Sequence, residues 1–304
     1  MSTLATNSSA PSLAKMWLLA FRPKTLTAAL APIVVATAFV SWAGYEVHSW
    51  ISWCALLSSF CLQIGTNLVN DAADFKKGAD TSERLGPQRV TQSGIFTYKQ
   101  VMIMAAVFFL AAALFGVPLV FQGGFPILVV GIFSILFGYA YTTGPFPLAY
   151  RGWGDFFVLV FFGWIATAGM VYLQTHDFSW RAILLGTQIG LLATVLIAIN
   201  NLRDIEGDTK VNKKTLPVRW GKTFARREIA VLILLPFLLN TLWIWDGAVW
   251  AGILPFAVLP LGIKIIRQIS VTEPSEKYNQ FLGQSAGLHL IFGLLLAVGF
   301  WLKG

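Results

Sequence analysis

The chain has 304 residues, of which 56% are hydrophobic and only 12% charged, and its mean hydropathy is +0.69; a soluble domain carries about 25% charged residues. This excludes a water-soluble globular fold. The net charge of +8 does not indicate nucleic acid, because the basic residues are sorted by position along the chain instead of being gathered into one patch.

In chain order, residues 1–14 read as a loose polar tail and 15–304 as a single membrane domain. Apolar runs of about 18 to 22 residues, each long enough to cross a bilayer as a helix, lie at roughly 26–43, 50–69, 101–121, 125–143, 153–173, 180–201, 228–246, 248–266 and 281–302. The fold class is therefore all-α, a polytopic transmembrane bundle of about nine helices. The first run contains Pro32 and Thr37 and shows no small-residue cleavage site, so it reads as a retained helix. Cys54 and Cys61 fall within the second run, where packing is their expected role, since two cysteines in one helix make no disulfide framework.

Under this reading twenty of the 22 basic residues fall on one side of the membrane, and only Arg181 and Lys303 fall on the other. Basic loops stay in the cytoplasm, so the N-terminus and the loops after the second, fourth, sixth and eighth helices are expected inside, in a cell inner membrane.

Two of those loops begin with carboxamides and carboxylates: NLVNDAADFKKGAD from Asn67 to Asp80, and NNLRDIEGD from Asn200 to Asp208. On a helix Gln63, Asn67, Asn70, Asp71 and Asp74 share an arc of about 100°, and Asn201, Asp204 and Asp208 one of about 60°. Such stripes can be solvated caps at the membrane surface. Their recurrence at the ends of the second and sixth helices favours a shared task. Crowded carboxylates repel unless a cation lies between them, and Mg²⁺ favours a few carboxylates together with phosphate oxygens. The two stripes would thus clamp a magnesium diphosphate, with Lys76, Lys77, Arg84, Arg89, Arg203, Lys210, Lys213, Lys214 and Arg219 nearby to neutralise it. There is no P-loop, Ser/His/Asp arrangement or HExxH, which argues against ATPase, acyl-transfer and zinc-hydrolase chemistry. A diphosphate at the mouth of an apolar, aromatic bundle fits an isoprenoid diphosphate, whose departing pyrophosphate leaves an allylic cation in need of a dry cavity. The rival reading is a lipid or metal transporter using Gln63, Gln188 and Asn240, but ionisable residues are nearly absent from the predicted spans.

At these residues the sequence resembles the UbiA superfamily of intramembrane prenyltransferases, whose motifs read roughly NDxxDxxxD and DxxxD. Asn70, Asp71 and Asp74 match the first motif, and Asp204 and Asp208 the second. Gly78 stands where the hydroxybenzoate branch keeps its last aspartate, with Asp80 two residues on. FRPKTL (Phe21–Leu26), GPQRVTQSG (Gly86–Gly94), YTTGPFPLAYRGWGD (Tyr141–Asp155) and TLPVRWG (Thr215–Gly221) look most like the branch that prenylates 1,4-dihydroxy-2-naphthoate in menaquinone synthesis. Asn212 departs from the branch, which usually has glycine there.

The resemblance implies a polyprenyl diphosphate donor, a naphthoate acceptor, Mg²⁺, a lipid-bilayer setting, and a product formed with loss of CO₂ and diphosphate; 4-hydroxybenzoate or homogentisate are the alternative acceptors. It assigns Asp71, Asp74, Asp204 and Asp208, with Asn70, to the metal. Asn67, Asn200 and Asn201 would support substrate. Arg89, Arg203 and either Lys213 or Lys214 would stabilise the leaving group. Tyr141 would face the cation or serve as an interfacial anchor, Gln92 and Arg22 would touch the acceptor, and Asp155 would cap a helix or touch substrate.

Overall fold

The computed structural model describes residues 13–78, 84–87 and 89–302, without the side chains of Lys15 and Lys24. The expected tail as far as residue 12, Asp80 and Lys303 lie outside that set. Leu13 opens a short helix, α1 (Leu13–Phe21), and α2 (Pro23–Trp42) follows after Arg22, whose φ of 54° turns the corner. The remaining helices are α3 (Ser49–Lys76), α4 (Tyr98–Ala140), α5 (Gly154–Thr175), α6 (Trp180–Arg203), the short α7 (Ile205–Lys210), α8 (Leu216–Trp245), α9 (Val249–Val271) and α10 (Tyr278–Trp301). No strand occurs among the described residues.

Eight of these helices are long and apolar enough to span a bilayer, and the 43-residue α4 accounts for the ninth expected crossing. Its backbone leaves helical geometry at Gly124 (φ 66°, ψ −153°), and Pro126 follows. A Cβ on Gly138 would lie 3.4 Å from the ring of Phe109 and 2.7 Å from Thr66 Oγ1. Phe109 and Gly138 lie on opposite sides of Gly124, so the two arms run side by side as a hairpin and not as one rod. In a membrane the freed backbone must be satisfied; the Gly123 carbonyl accepts the Tyr172 hydroxyl at 3.3 Å. A second break, at Gly221 (φ 84°, ψ 170°), separates the surface turn at 216–220 from the spanning part of α8.

The core lies where α2, α6, α8 and α10 meet, around Val35, Phe39, Ile189, Trp243, Phe292 and Phe300. In the middle of α5, Leu159–Ala168 is wound as a π-helix, and small residues let it approach α6. A Cβ on Gly163 would sit 2.5 Å from the Gly186 carbonyl, and one on Gly190 2.7 Å from the Gly163 Cα. The α4 hairpin instead faces outward: Phe121 is 87% exposed, with Phe125 and Leu114 also exposed. A hydrocarbon solvent removes the cost of such a face.

Of the intramembrane polar residues that favoured transport, Gln63 lines the cavity described below, and Gln188 and Asn240 close on themselves. Trp243 Nε1 donates to Gln188 Oε1 (2.7 Å), Gln188 Nε2 to Asn240 Oδ1 (3.0 Å), and Asn240 Nδ2 to the carbonyls of Ala251 and Gly252. This network fastens α6, α8 and α9 and offers nothing to a permeant ion. On the face opposite the aspartates, Arg181 pairs with Asp246 through two 2.6 Å bonds.

Candidate active site

Both aspartate motifs end spanning helices at the same face of the bundle. The helix α3 stops at Lys77, and Gly78 takes φ 70°, so the aspartate of the hydroxybenzoate branch is replaced here by the residue that ends the helix. Asn212 likewise has φ 54°, a left-handed position open to asparagine as well as the glycine usual there.

Asp71, 1% exposed, accepts the backbone N–H groups of Val90 and Thr91 at 3.2 and 3.1 Å. Expected to act on a metal, it also shapes the loop that carries Arg89. Asp74 faces the site, with Arg89 Nη2 3.5 Å from one oxygen and the Tyr150 hydroxyl donating to the other at 3.0 Å. Asn70 accepts the Thr142 hydroxyl. Asn67 Nδ2 donates to Phe21 O (3.3 Å) and Thr25 Oγ1 (3.0 Å), pinning the α1–α2 corner to α3.

From the second motif, Asp204 forms a bidentate pair with its neighbour Arg203, with bonds of 2.7 and 2.6 Å. The third Arg203 nitrogen donates to Asn279, which reaches the Leu85 carbonyl. Arg203 therefore ties α6, α10 and the loop after α3 together. It leaves no room for a Cβ at Gly86, where one would sit 2.8 Å from the guanidinium. Asp208 lies 3.2 Å from Lys213 Nζ. Burial, opposed by Lys213 but reinforced by repulsion from Asp204 and Asp74, pushes its carboxyl up to about 6, so the two motifs feel each other's charge. Of the two lysines left open by the sequence, Lys213 stands beside the carboxylates, whereas Lys214 is exposed and its N–H serves the Tyr150 carbonyl. Arg219, one of the expected neutralising bases, is instead spent on the carbonyls of Lys214 and Arg151.

Tyr141 is partly buried, within electrostatic reach of Asp155, Asp74 and Asp208; desolvation first and these carboxylates second raise its pKa, keeping the phenol protonated. Asn201 turns away from the cluster and donates to Asp155 at 3.4 Å. Gln92 lies half-buried in the turn after Thr91. Sequence reasoning did not single out Tyr150, which bonds Asp74 from 76 positions away; its presence in the YTTGPFPLAYRGWGD block was the only signal.

Behind the charged cluster runs a cavity of about 620 Å³. Arg22, Thr25, Asn67, Asn70, Tyr141 and Asn200 line it in part, and the three asparagines belong to or precede the two motifs; most of the rest is apolar and aromatic, including Phe137, Phe157, Phe161 and Ile165. Val117, Phe121, Leu128 and Ile132 line it and are also exposed on the outer face of the hairpin, so the cavity wall gives onto the lipid.

Among the described residues no three His, Cys, Asp or Glu side chains converge as a self-sufficient metal cage. Mg²⁺ binds without such a cage, through one or two carboxylates with water and substrate phosphate.

The family model described as UbiA prenyltransferase family matches residues 29–301. The 1,4-dihydroxy-2-naphthoate octaprenyltransferase of Escherichia coli (strain K12) is 36% identical, with 94% of this chain and 95% of that protein covered. The protein of the same description from Haemophilus influenzae is 34% identical, with 94% and 95% covered. Among solved structures, a UbiA homolog from Archaeoglobus fulgidus bound to DMAPP and Mg²⁺ superposes with a TM-score of 0.58 at 17% identity, over 93% of this chain and 99% of that one.

Proposed function

This chain belongs to the UbiA prenyltransferase family, and from that premise we infer how its cavity and charged cluster divide the work. The protein is a multi-pass membrane enzyme that transfers a polyprenyl chain to 1,4-dihydroxy-2-naphthoate in menaquinone biosynthesis, as its curated relatives do. One observation carries the division of labour: a largely apolar cavity reaches Asn70 and Asn200, which adjoin the two carboxylate motifs, and Arg89, Lys77 and Lys213 stand beside those carboxylates.

The prenyl chain occupies the cavity and its diphosphate lies at the motifs. Asp74, Asp204 and Asp208, with Asp71 and Asn70 behind them, would hold Mg²⁺, which would supply positive charge to the diphosphate when bound; the Mg²⁺-bound family neighbour supports this reading. Arg89, Lys77 and Lys213 take up the charge that develops as the allylic C–O bond breaks. Tyr141 presents its ring where the allylic cation forms, in a cavity that excludes water. Arg22, at the polar end, is suited to receive the acceptor's carboxylate. The ring carbon bearing that carboxylate bonds to the allylic carbon. Its C–C bond to the carboxylate then breaks, the electron pair restores aromaticity, and CO₂ leaves.

The test supplies purified protein with Mg²⁺, a polyprenyl diphosphate and either 1,4-dihydroxy-2-naphthoate or 4-hydroxybenzoate, each labelled at the carboxyl carbon. Label is expected to escape as CO₂ from the naphthoate only; prenylated hydroxybenzoate with its label retained as main product would refute the acceptor assignment.

The one-sided distribution of basic residues supports an orientation with the aspartate loops in the cytoplasm of a cell inner membrane. Single cysteines placed at Lys77 and Lys210, in a background lacking Cys54 and Cys61, should resist an impermeant thiol reagent in intact cells and react once the membrane is opened. Ready labelling in intact cells would invert the topology.

A further inference from the structure

The diphosphate site contains two lysines from separate helices that must be held close together before any anion arrives. Lys77 lies just beyond the end of α3 and Lys213 follows α7, and each raises the cost of the other's charge. Their side chains converge on one residue of neither motif. Lys77 Nζ stands 4.1 Å from the centre of the Tyr150 ring, and Lys213 Nζ 5.6 Å from it. The hydroxyl of that ring donates to Asp74 at 3.0 Å, and its carbonyl accepts the Lys214 N–H at 3.0 Å. Tyr150 itself belongs to a short 3-10 turn, Leu148–Arg151, closed by Gly152 at φ 75°. A Cβ at Gly152 would lie 2.6 Å from the Lys214 carbonyl, so the turn is pressed against the second-motif loop.

We propose that Tyr150 is a positioning residue that joins the two halves of the diphosphate site, its ring gathering the Lys77 and Lys213 ammonium groups into one anion-binding pair and its hydroxyl aiming Asp74. The inference rests on the functional reading above. Lys77 Nζ also donates to the Thr142 carbonyl and Lys213 pairs with Asp208; the negative face of the ring, which attracts ammonium groups, adds to these contacts by drawing both lysines to one place, poised for an anion. A diphosphate carries enough charge to engage both, whereas a neutral or singly charged ligand does not. The ring and the hydroxyl thus have separable tasks. The ring governs how tightly the diphosphate end is held, and the hydroxyl governs how well the cluster turns substrate over.

The experiment uses the full-length protein in nanodiscs with two variants, Tyr150→Phe and Tyr150→Leu. It reads binding of inorganic pyrophosphate in the presence of Mg²⁺ by calorimetry, KM and kcat with prenyl diphosphate, and the melting temperature. Tyr150→Leu is expected to weaken pyrophosphate binding and raise KM for prenyl diphosphate by about tenfold, the scale of two ring–cation contacts, with KM for the acceptor unchanged. Tyr150→Phe should restore pyrophosphate affinity to within about threefold of the parent while kcat stays down by about tenfold, the scale of a hydrogen bond to a charged group. Parent-like pyrophosphate binding by Tyr150→Leu, even with a lowered melting temperature, would reduce Tyr150 to a structural residue and overturn the proposal. Loss of affinity in Tyr150→Phe equal to that in Tyr150→Leu would do the same, and the Phe variant decides alone if the Leu variant does not fold. If the parent binds no magnesium pyrophosphate at all, the diphosphate reading itself falls and takes this inference with it.

Discussion

Turnover is expected to fall by about 10²- to 10³-fold in Asp74→Asn and in Asp208→Asn, the scale of losing a group that stabilises charge in the transition state. Each change keeps the side chain's shape and removes one negative charge from the cluster that faces the diphosphate. Asp208→Asn also leaves Lys213 without the negative charge it pairs with at 3.2 Å, and Asp74→Asn replaces one of the two oxygens that face Arg89 and the Tyr150 hydroxyl with an NH₂ donor. The loss should appear in kcat as well as in kcat/KM, since the groups act on the departing diphosphate and not only on ground-state binding. Both residues lie at the loop-facing ends of their helices, so a melting temperature within a few degrees of the parent is expected. Glu46→Gln, on an exposed turn next to α3 at its other end, serves as the control and should leave rates unchanged. Near-normal turnover of either aspartate variant with Mg²⁺ present would show that the carboxylates do not hold the metal as drawn.

The features legible in the sequence were those that a membrane makes expensive. A carboxylate in hydrocarbon is costly, so Asp74, Asp204 and Asp208 stood out against apolar runs. The nine crossings were equally legible, including the division of α4, because Gly124 and Pro126 interrupt a run too long for one crossing. The partners of each side chain were not legible. Asp71 looks like Asp74 in sequence, yet one bonds the backbone of a loop nineteen and twenty positions away while the other faces Arg89 and Tyr150. Lys213 and Lys214 could not be separated from spacing, because the left-handed turn at Asn212 decides which of them points inward. Tyr141 was noticed and Tyr150 was not, since an aromatic residue near a membrane surface is ordinarily an interfacial anchor and only the contact with α3 distinguishes this one.

The second large effect concerns the other end of the substrate. Gly131 and Gly169 both line the cavity, and a Cβ at either would meet no atom within 4 Å, so a larger side chain there can enter open space without displacing backbone. The two sites lie at different depths. Gly131 is seven residues, about 10 Å along the helix, from the Gly124 bend that closes the hairpin at the end away from Tyr141, whereas Gly169 is three and four residues, about 5 Å, from Tyr172 and Leu173, which bond Gly123 and Gln122 beside that bend. A phenyl ring at position 131 should block the cavity closer to the diphosphate end than one at 169. Gly131→Phe is therefore expected to lower kcat/KM for a long polyprenyl diphosphate by about 100-fold or more, because each buried methylene contributes about 0.8 kcal/mol and several isoprene units lose their place. Geranyl diphosphate, too short to reach either ring, should keep its kcat/KM within a few-fold. Gly169→Phe should spare substrates of intermediate length that Gly131→Phe rejects. Assaying both variants against a ladder of prenyl diphosphates gives the length at which each fails. If both fail at the same length, or if geranyl diphosphate suffers as much as the longest substrate, the chain does not lie along this cavity from the aspartates outward.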